Sequence, residues 1–305
     1  MVAFLNLIRF KNLIFIVLLQ VLIKFILFDS LEFNTALSGF NFTILIFATV
    51  CIAAGGYIIN DIYDVAIDRI NKPERLIVGT IFSQNKAYNF YVGTTTTGVF
   101  AGFYLSNLVE KPFLAGLFII LAALLYLYAS YIKKLILAGN LLVALMAAMS
   151  IIIVGLFDLF PALNFENQAE FSNTFILLLA YALFAFLLTL IREIVKDLED
   201  INGDKNGGRK TIPIVLGRKR TGFLLFILGV VVTCCLLFYM YHQLYRFPYA
   251  MLYFLFFIIG PLLYFCINIL STNNKKGYAK LASILKLIML FGILSFLLYH
   301  FGFIE

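Results

Sequence analysis

The chain has 305 residues, 63% of them hydrophobic and 13% charged, against roughly 45–50% apolar and 25% charged in an ordinary soluble domain. This balance excludes a water-soluble globule, a nucleic-acid reader and a secreted disulfide scaffold. The net charge of +7 matches the Lys and Arg that multi-spanning proteins keep on their cytoplasmic side.

Arg9 and Lys11 precede a first apolar run over 13–28, which reads as a retained helix because no small-residue cleavage site follows it. A second run, 41–59, leads into an acidic segment: Asn60-Asp61-Ile62-Tyr63-Asp64-Val65-Ala66-Ile67-Asp68-Arg69-Ile70-Asn71-Lys72-Pro73-Glu74-Arg75. Runs at 88–108 and 113–130 come next, then Lys133-Lys134, then runs at 137–159 and 174–191. The last of these leads into Arg192-Glu193-Ile194-Val195-Lys196-Asp197-Leu198-Glu199-Asp200-Ile201-Asn202-Gly203-Asp204, with Arg209, Lys210 and Pro213 beyond. Runs at 220–240, 249–270 and 283–303 complete the chain.

At about 20 residues per crossing of a ~30 Å hydrocarbon core, these runs predict about nine transmembrane helices around a central cavity. Helices satisfy their own backbone hydrogen bonds in lipid, and the alternating pattern of a membrane barrel is missing. The expectation is a single all-α transmembrane domain over 1–305, with carboxylate motifs in segments 60–75 and 192–213. Lys24 and Lys286, inside spans but near their ends, are expected to snorkel to the interface. The four cysteines lie in apolar runs without metal-ligand spacing, and His242 and His300 stand alone at span ends as polar tips.

Of the 23 Lys and Arg, 19 fall on one side of this topology, which the positive-inside rule places in the cytoplasm of a multi-pass cell-membrane protein. The acids are more unevenly placed. Nine of 16 are confined to the two inner segments, Asp61–Glu74 and Glu193–Asp204, and the other inner segments have none.

Asp61, Asp64 and Asp68 are spaced by three and four residues, as are Asp197, Asp200 and Asp204. At about 100° per residue each triplet occupies an arc of roughly 60° on one helical face. Each stripe extends the cytoplasmic end of a membrane helix, where the macrodipole disfavours extra acids by roughly 0.3–1 kcal/mol each. A pattern that is locally unfavourable for stability points to a functional site. Facing each other, the stripes would surround one cavity with carboxylates that require cations. Such hard oxygen donors suit Mg²⁺, which is usually held by one or two carboxylates plus substrate phosphates. Arg69, Lys72, Arg75, Arg192, Lys196, Arg209 and Lys210, with Lys133 and Lys134, supply the donors to clamp a diphosphate. Solvated helix ends with compensating surface pairs are the structural alternative.

At these residues the sequence resembles the UbiA superfamily of intramembrane prenyltransferases. The first segment matches its N-D-x-x-D-x-x-x-D motif from Asn60 to Asp68, and the second matches D-x-x-x-D at Asp200 and Asp204. The stretch from Tyr128 through Lys133 and Lys134 to Asn140 resembles the family's basic and polar 4–5 loop. The resemblance implies Mg²⁺-dependent ionisation of a polyprenyl diphosphate, the allylic cation being captured by a lipophilic acceptor. It also implies that Asp64, Asp200 and Lys133 act on the reacting diphosphate, with Asn60 among its binding groups. Tyr57, Tyr63, Tyr131 and Tyr181 are candidates for lining the tail chamber near the inner face.

The run Asp68-Arg69-Ile70-Asn71-Lys72-Pro73-Glu74-Arg75 is most similar to the branch holding digeranylgeranylglyceryl phosphate synthases and chlorophyll synthases, although Leu76-Ile77-Val78-Gly79 replaces its P-I-x-S-G continuation. A geranylgeranylglyceryl-phosphate acceptor is therefore expected, with a geranylgeranyl donor. An aromatic quinone precursor such as 4-hydroxybenzoate or dihydroxynaphthoate is the second reading. A carboxylate-lined ion transporter is a distant third, because transport would place ionisable groups near the bilayer midplane rather than at helix ends beside basic residues.

Overall fold

The structure, a computed structural model, describes residues 1–71, 76–164 and 168–304, with only the backbone of Ile70 and Asn71. In chain order its helices are α1 (Val2–Leu7), α2 (Phe10–Leu22), α3 (Gly39–Asn71), α4 (Gln84–Leu108), α5 (Ala115–Ser130), α6 (Ala138–Val154), α7 (Gln168–Asn206), α8 (Ile212–Leu216), α9 (Arg218–Gln243), α10 (Pro248–Phe254), α11 (Gly260–Ile269), α12 (Lys275–Leu294) and α13 (Leu297–His300). π-helical stretches extend α2 over Ile23–Phe28 and α6 over Gly155–Leu159. Apart from an isolated bridge between Val78 and Phe82, regular structure among the described residues is helical, as the hydrophobic pattern predicts.

Among the described residues, eight helical segments are long and apolar enough to cross a membrane, one fewer than the sequence reading. The difference is α4. Its 25 residues reach about 37 Å at roughly 1.5 Å per residue, but Thr94–Thr97 and several Asn and Tyr dilute its apolar surface. A second correction concerns Lys24, which lies in the π-helical stretch and is only 5% exposed. It is packed inside protein instead of snorkelling to the interface.

The chain forms two compact units. The first comprises Met1–Gln20, Asn34–Leu142 and Met149–Ala180. Small residues bring its helices close: Gly55 of α3 sits against Thr95 of α4, Gly98 of α4 against Ile52 and the Ala48 carbonyl, and Gly102 under the Phe118 ring of α5. Phe118 meets Phe157 edge-on at 5.4 Å. Buried polar groups tie distant segments together. Gln20 Nε2 donates to Thr49 Oγ1 at 3.3 Å and to the Ser150 carbonyl at 3.1 Å, while Asp158 Oδ1 accepts from the Leu37 N–H at 2.8 Å. Nearer the first carboxylate segment, Leu7, Ile58, Val65, Val78 and Ala87 form an apolar cluster.

The second unit comprises Val21–Phe33, Val143–Ala148 and Tyr181–Glu305. Gly229 of α9 packs on Cys266 and Phe265 of α11, and Gly222 on the Ile269 carbonyl, so Cys266 is a packing residue as its apolar surroundings predict. Tyr181 of α7 shares a 2.7 Å hydrogen bond with Ser295 and stacks on Phe296 at 4.2 Å.

Candidate active site

The first carboxylate stripe lies on α3, which runs on from its apolar span to Asn71. Asp64 is its most enclosed member. Lys133 Nζ donates to Asp64 Oδ1 at 2.8 Å, the two side chains being 5% and 10% exposed. Asn60, one turn earlier, donates from Nδ2 to Asp64 Oδ2 at 3.0 Å, and its Oδ1 accepts from Lys133 Nζ at 3.3 Å. The three residues form a closed knot in which each carboxylate oxygen of Asp64 has its own donor.

Lys133 reaches this position through local backbone geometry. α5 ends at Ser130 and a 3-10 turn over Ile132–Lys134 follows. Leu137 then adopts φ 64°, reversing the chain into α6. A Cβ on Gly139, in the first turn of α6, would lie 3.0 Å from the Lys133 Cα, so a larger residue there would push the two backbones apart by a few tenths of an ångström. Lys134, next in sequence, is exposed.

Asp61 has a different partner. Arg9 Nη2 donates to Asp61 Oδ1 at 3.0 Å, and the guanidinium lies 5.0 Å from the centre of the Tyr57 ring. From the sequence alone Arg9 belongs to the positive-inside bias and has no role at the site. Its place at the mouth of the first span, two residues before Lys11, is the signal the sequence carries. Beyond the stripe, the chain turns at Gly79, φ 86°, which sits against Val65 and Arg69 of α3. Lys72 and Arg75, expected in the diphosphate clamp, lie outside the described residues.

The second stripe lies on α7, which continues to Asn206. Glu193, which sequence reasoning assigned no role, accepts from Arg192 Nη1 at 3.1 Å and from Lys196 Nζ at 2.7 Å. Two cations expected at the diphosphate thus share a carboxylate on their own helix. Asp204 is buried, and Arg209 Nη1 donates to its Oδ1 at 3.1 Å. Gly208 at φ 69° produces this contact: the left-handed residue past the helix end reverses the chain, so that the Arg209 N–H also bonds the Asp204 carbonyl at 2.9 Å. Asp197 and Asp200 are partly buried and Lys210 is exposed.

Among the described residues no three acidic, imidazole or thiol groups converge as a ready-made metal cage. The donor set still suits Mg²⁺, which takes hard oxygens and is completed by substrate phosphates. Two buried atoms beside the second stripe, Arg192 Nε and Thr211 Oγ1, have no hydrogen bond within the protein. Both are groups that phosphate oxygens can satisfy.

Of the four tyrosines proposed for a chamber, Tyr57 lies under Arg9, and Tyr63 shares a hydrogen bond with Tyr126 at 3.1 Å. Tyr131 is exposed. Tyr181 precedes Asp200 by 19 residues on α7, about 28 Å of helix at roughly 1.5 Å per residue, so it stands well away along the helix from the second stripe.

Residues 21–299 match the sequence profile of the UbiA prenyltransferase family. The chain belongs to that family. It is 36% identical over 248 residues to the digeranylgeranylglyceryl phosphate synthase of Saccharolobus solfataricus, covering 81% of this chain and 80% of that one. It is 32% identical over 265 residues to the synthase of the same name from Methanosphaera stadtmanae, covering 84% and 88%. Among solved structures, one described as giving structural and mechanistic insights into the biosynthesis of digeranylgeranylglyceryl phosphate synthase in membranes aligns at TM-score 0.63 and 24% identity, over 97% of this chain and 96% of that chain. A UbiA homologue from Archaeoglobus fulgidus bound to DMAPP and Mg²⁺ aligns at TM-score 0.61 and 16% identity, over 96% and 99%. These likenesses show that the fold is that of the UbiA family, a multi-helix integral membrane protein.

Proposed function

We propose that this prenyltransferase moves a geranylgeranyl group from its diphosphate to geranylgeranylglyceryl phosphate, as a single membrane domain. The observation that carries this reading is the 36% identity, over four-fifths of both chains, to a protein named digeranylgeranylglyceryl phosphate synthase. By the positive-inside rule the carboxylate segments face the cytoplasm from the cell membrane.

In this reading Asp61, Asp64, Asp68, Asp197, Asp200 and Asp204 are the carboxylates available to Mg²⁺. When bound, the metal would neutralise charge on the departing diphosphate. Asn60 holds the Asp64 carboxylate in one orientation. Lys133 brings a positive charge into an almost solvent-free position, where it acts far more strongly on phosphate oxygens than in water. Arg209, kept near the stripe by the turn at Gly208, and the partly buried Arg192 and Lys196 are basic groups that flank the second set of carboxylates in sequence.

The test is to supply purified protein with Mg²⁺, geranylgeranyl diphosphate and either geranylgeranylglyceryl phosphate or its dephosphorylated form, identifying products by mass. Product from the phosphorylated acceptor is expected. Removing its phosphate should cost a large part of kcat/KM, and Lys210→Ala should shrink that difference. Efficient prenylation of 4-hydroxybenzoate, with no product from the phosphorylated glycerol ether, would overturn the reading.

A further inference from the structure

Arg9 is the joint between α1 and α2. Its backbone is left-handed, φ 51°, a conformation uncommon for a bulky residue, and its carbonyl accepts from the Asn12 N–H at 2.7 Å. On one side of this joint, α1 is held by Leu7, fully buried against Ile58, Val65, Val78 and Ala87, and by Phe4, which meets Phe90 edge-on at 5.1 Å. The Arg9 side chain ties the joint to α3 through its bond to Asp61. The N-terminal helix is therefore fastened to a member of the first carboxylate stripe.

Two ion pairs on that stripe, Lys133–Asp64 and Arg9–Asp61, differ in exposure. Lys133 and Asp64 are sealed, whereas Arg9 and Asp61 are 40% and 19% exposed. A pair of such exposure contributes little and is easily exchanged. A divalent cation on the Asp61 carboxylate would be the largest local charge and would repel a guanidinium standing 3.0 Å from the same oxygen. The Tyr57 ring, 5.0 Å from the guanidinium while it holds Asp61, gives it a contact that does not depend on the carboxylate.

We infer that Arg9 is a positioning residue: it occupies Asp61 as an internal counter-ion, docks α1 on the site while no metal is bound, and is displaced by a divalent cation, loosening residues 2–9. The inference rests on the metal reading given above for Asp61. Linkage makes the coupling reciprocal, so the factor by which metal loosens α1 equals the factor by which removing Arg9 strengthens metal binding. For a partly exposed pair that factor is about two- to five-fold.

The experiment uses the full chain in lipid nanodiscs, with Mn²⁺ binding followed by electron paramagnetic resonance and residues 2–9 followed by hydrogen exchange, with and without inorganic pyrophosphate. Mn²⁺ should speed exchange in 2–9 about two- to five-fold. Arg9→Gln should exchange fast without metal, show no further response, and bind Mn²⁺ tighter by the same factor, whereas Arg9→Lys should restore docking and response. Mn²⁺ bound with exchange in 2–9 unchanged in the wild-type protein would overturn the coupling and leave the metal reading intact. An Arg9→Gln affinity equal to wild type would do the same. Failure to bind Mn²⁺ at all, with or without pyrophosphate, would overturn both.

Discussion

The Lys133 ammonium lies 2.8 Å from the Asp64 carboxylate, and both side chains are almost sealed from solvent. A carboxylate at the C-terminal end of a membrane helix is disfavoured by the helix dipole, and burial adds a larger desolvation cost. Lys133 offsets both. It enters from the turn after α5, 69 residues further along the chain, so the stripe on α3 is incomplete until α5 and α6 have packed.

Breaking this pair from either side leaves a charge buried without its partner, which costs about 3–5 kcal/mol. Lys133→Met and Asp64→Asn should each lower the melting temperature in detergent and abolish product formation. The double variant should lose clearly less stability than the two single losses added together, since it leaves no orphaned charge. Wild-type melting of either single variant would contradict the pairing.

Asn60 acts on Asp64 through a single side-chain hydrogen bond at 3.0 Å. Partners that orient a metal-binding carboxylate typically matter by about 10- to 100-fold in affinity or activity. Asn60→Ala should reduce kcat/KM in that range, and raising Mg²⁺ should recover part of it. A loss that no Mg²⁺ concentration reverses would assign Asn60 to substrate binding alone.

Gly208 sets the turn that returns Arg209 to Asp204. A side chain in the left-handed region costs about 1–2 kcal/mol, so Gly208→Ala should destabilise the protein by that amount. It should also raise KM for the prenyl diphosphate, as should Arg209→Ala, without a matching change in the apparent affinity for the acceptor. An effect confined to the acceptor would place Arg209 elsewhere in the reaction.

The helices and both carboxylate stripes were legible because they depend on local features, apolar length and spacings of three and four. The partners of the stripes were not. Asp61, Asp64 and Asp68 read as a row of mutually repelling charges, yet the structure pairs Asp61 with Arg9 and Asp64 with Lys133, contacts made across 52 and 69 residues. Lys133 stands out as a basic residue on an inner loop and through family resemblance, whereas Arg9 merges into the count of positive charge. Arg192 and Lys196 read as phosphate-clamping cations from their interleaving with acids, and the structure adds Glu193, one and three residues away on the same helix, as a carboxylate they share.

The threonines of α4 bear on how the protein is made. Thr94 and Thr97 donate back to the Phe90 and Gly93 carbonyls at 2.8 and 2.7 Å, which hides their hydroxyls from lipid but adds no apolar surface. A translocon partitions segments by apolar content, so α4 alone is a poor substrate for insertion. Its close packing on α3 through Gly55 and Gly98 offers the remedy: the two helices leave the translocon together, α3 drawing α4 into the bilayer. Glycosylation mapping of nascent chains should show α4 stranded outside when expressed without α3 and inserted when α3 precedes it. The first carboxylate stripe, at the α3 end of that hairpin, would then reach the membrane surface before any residue of the second has been synthesised.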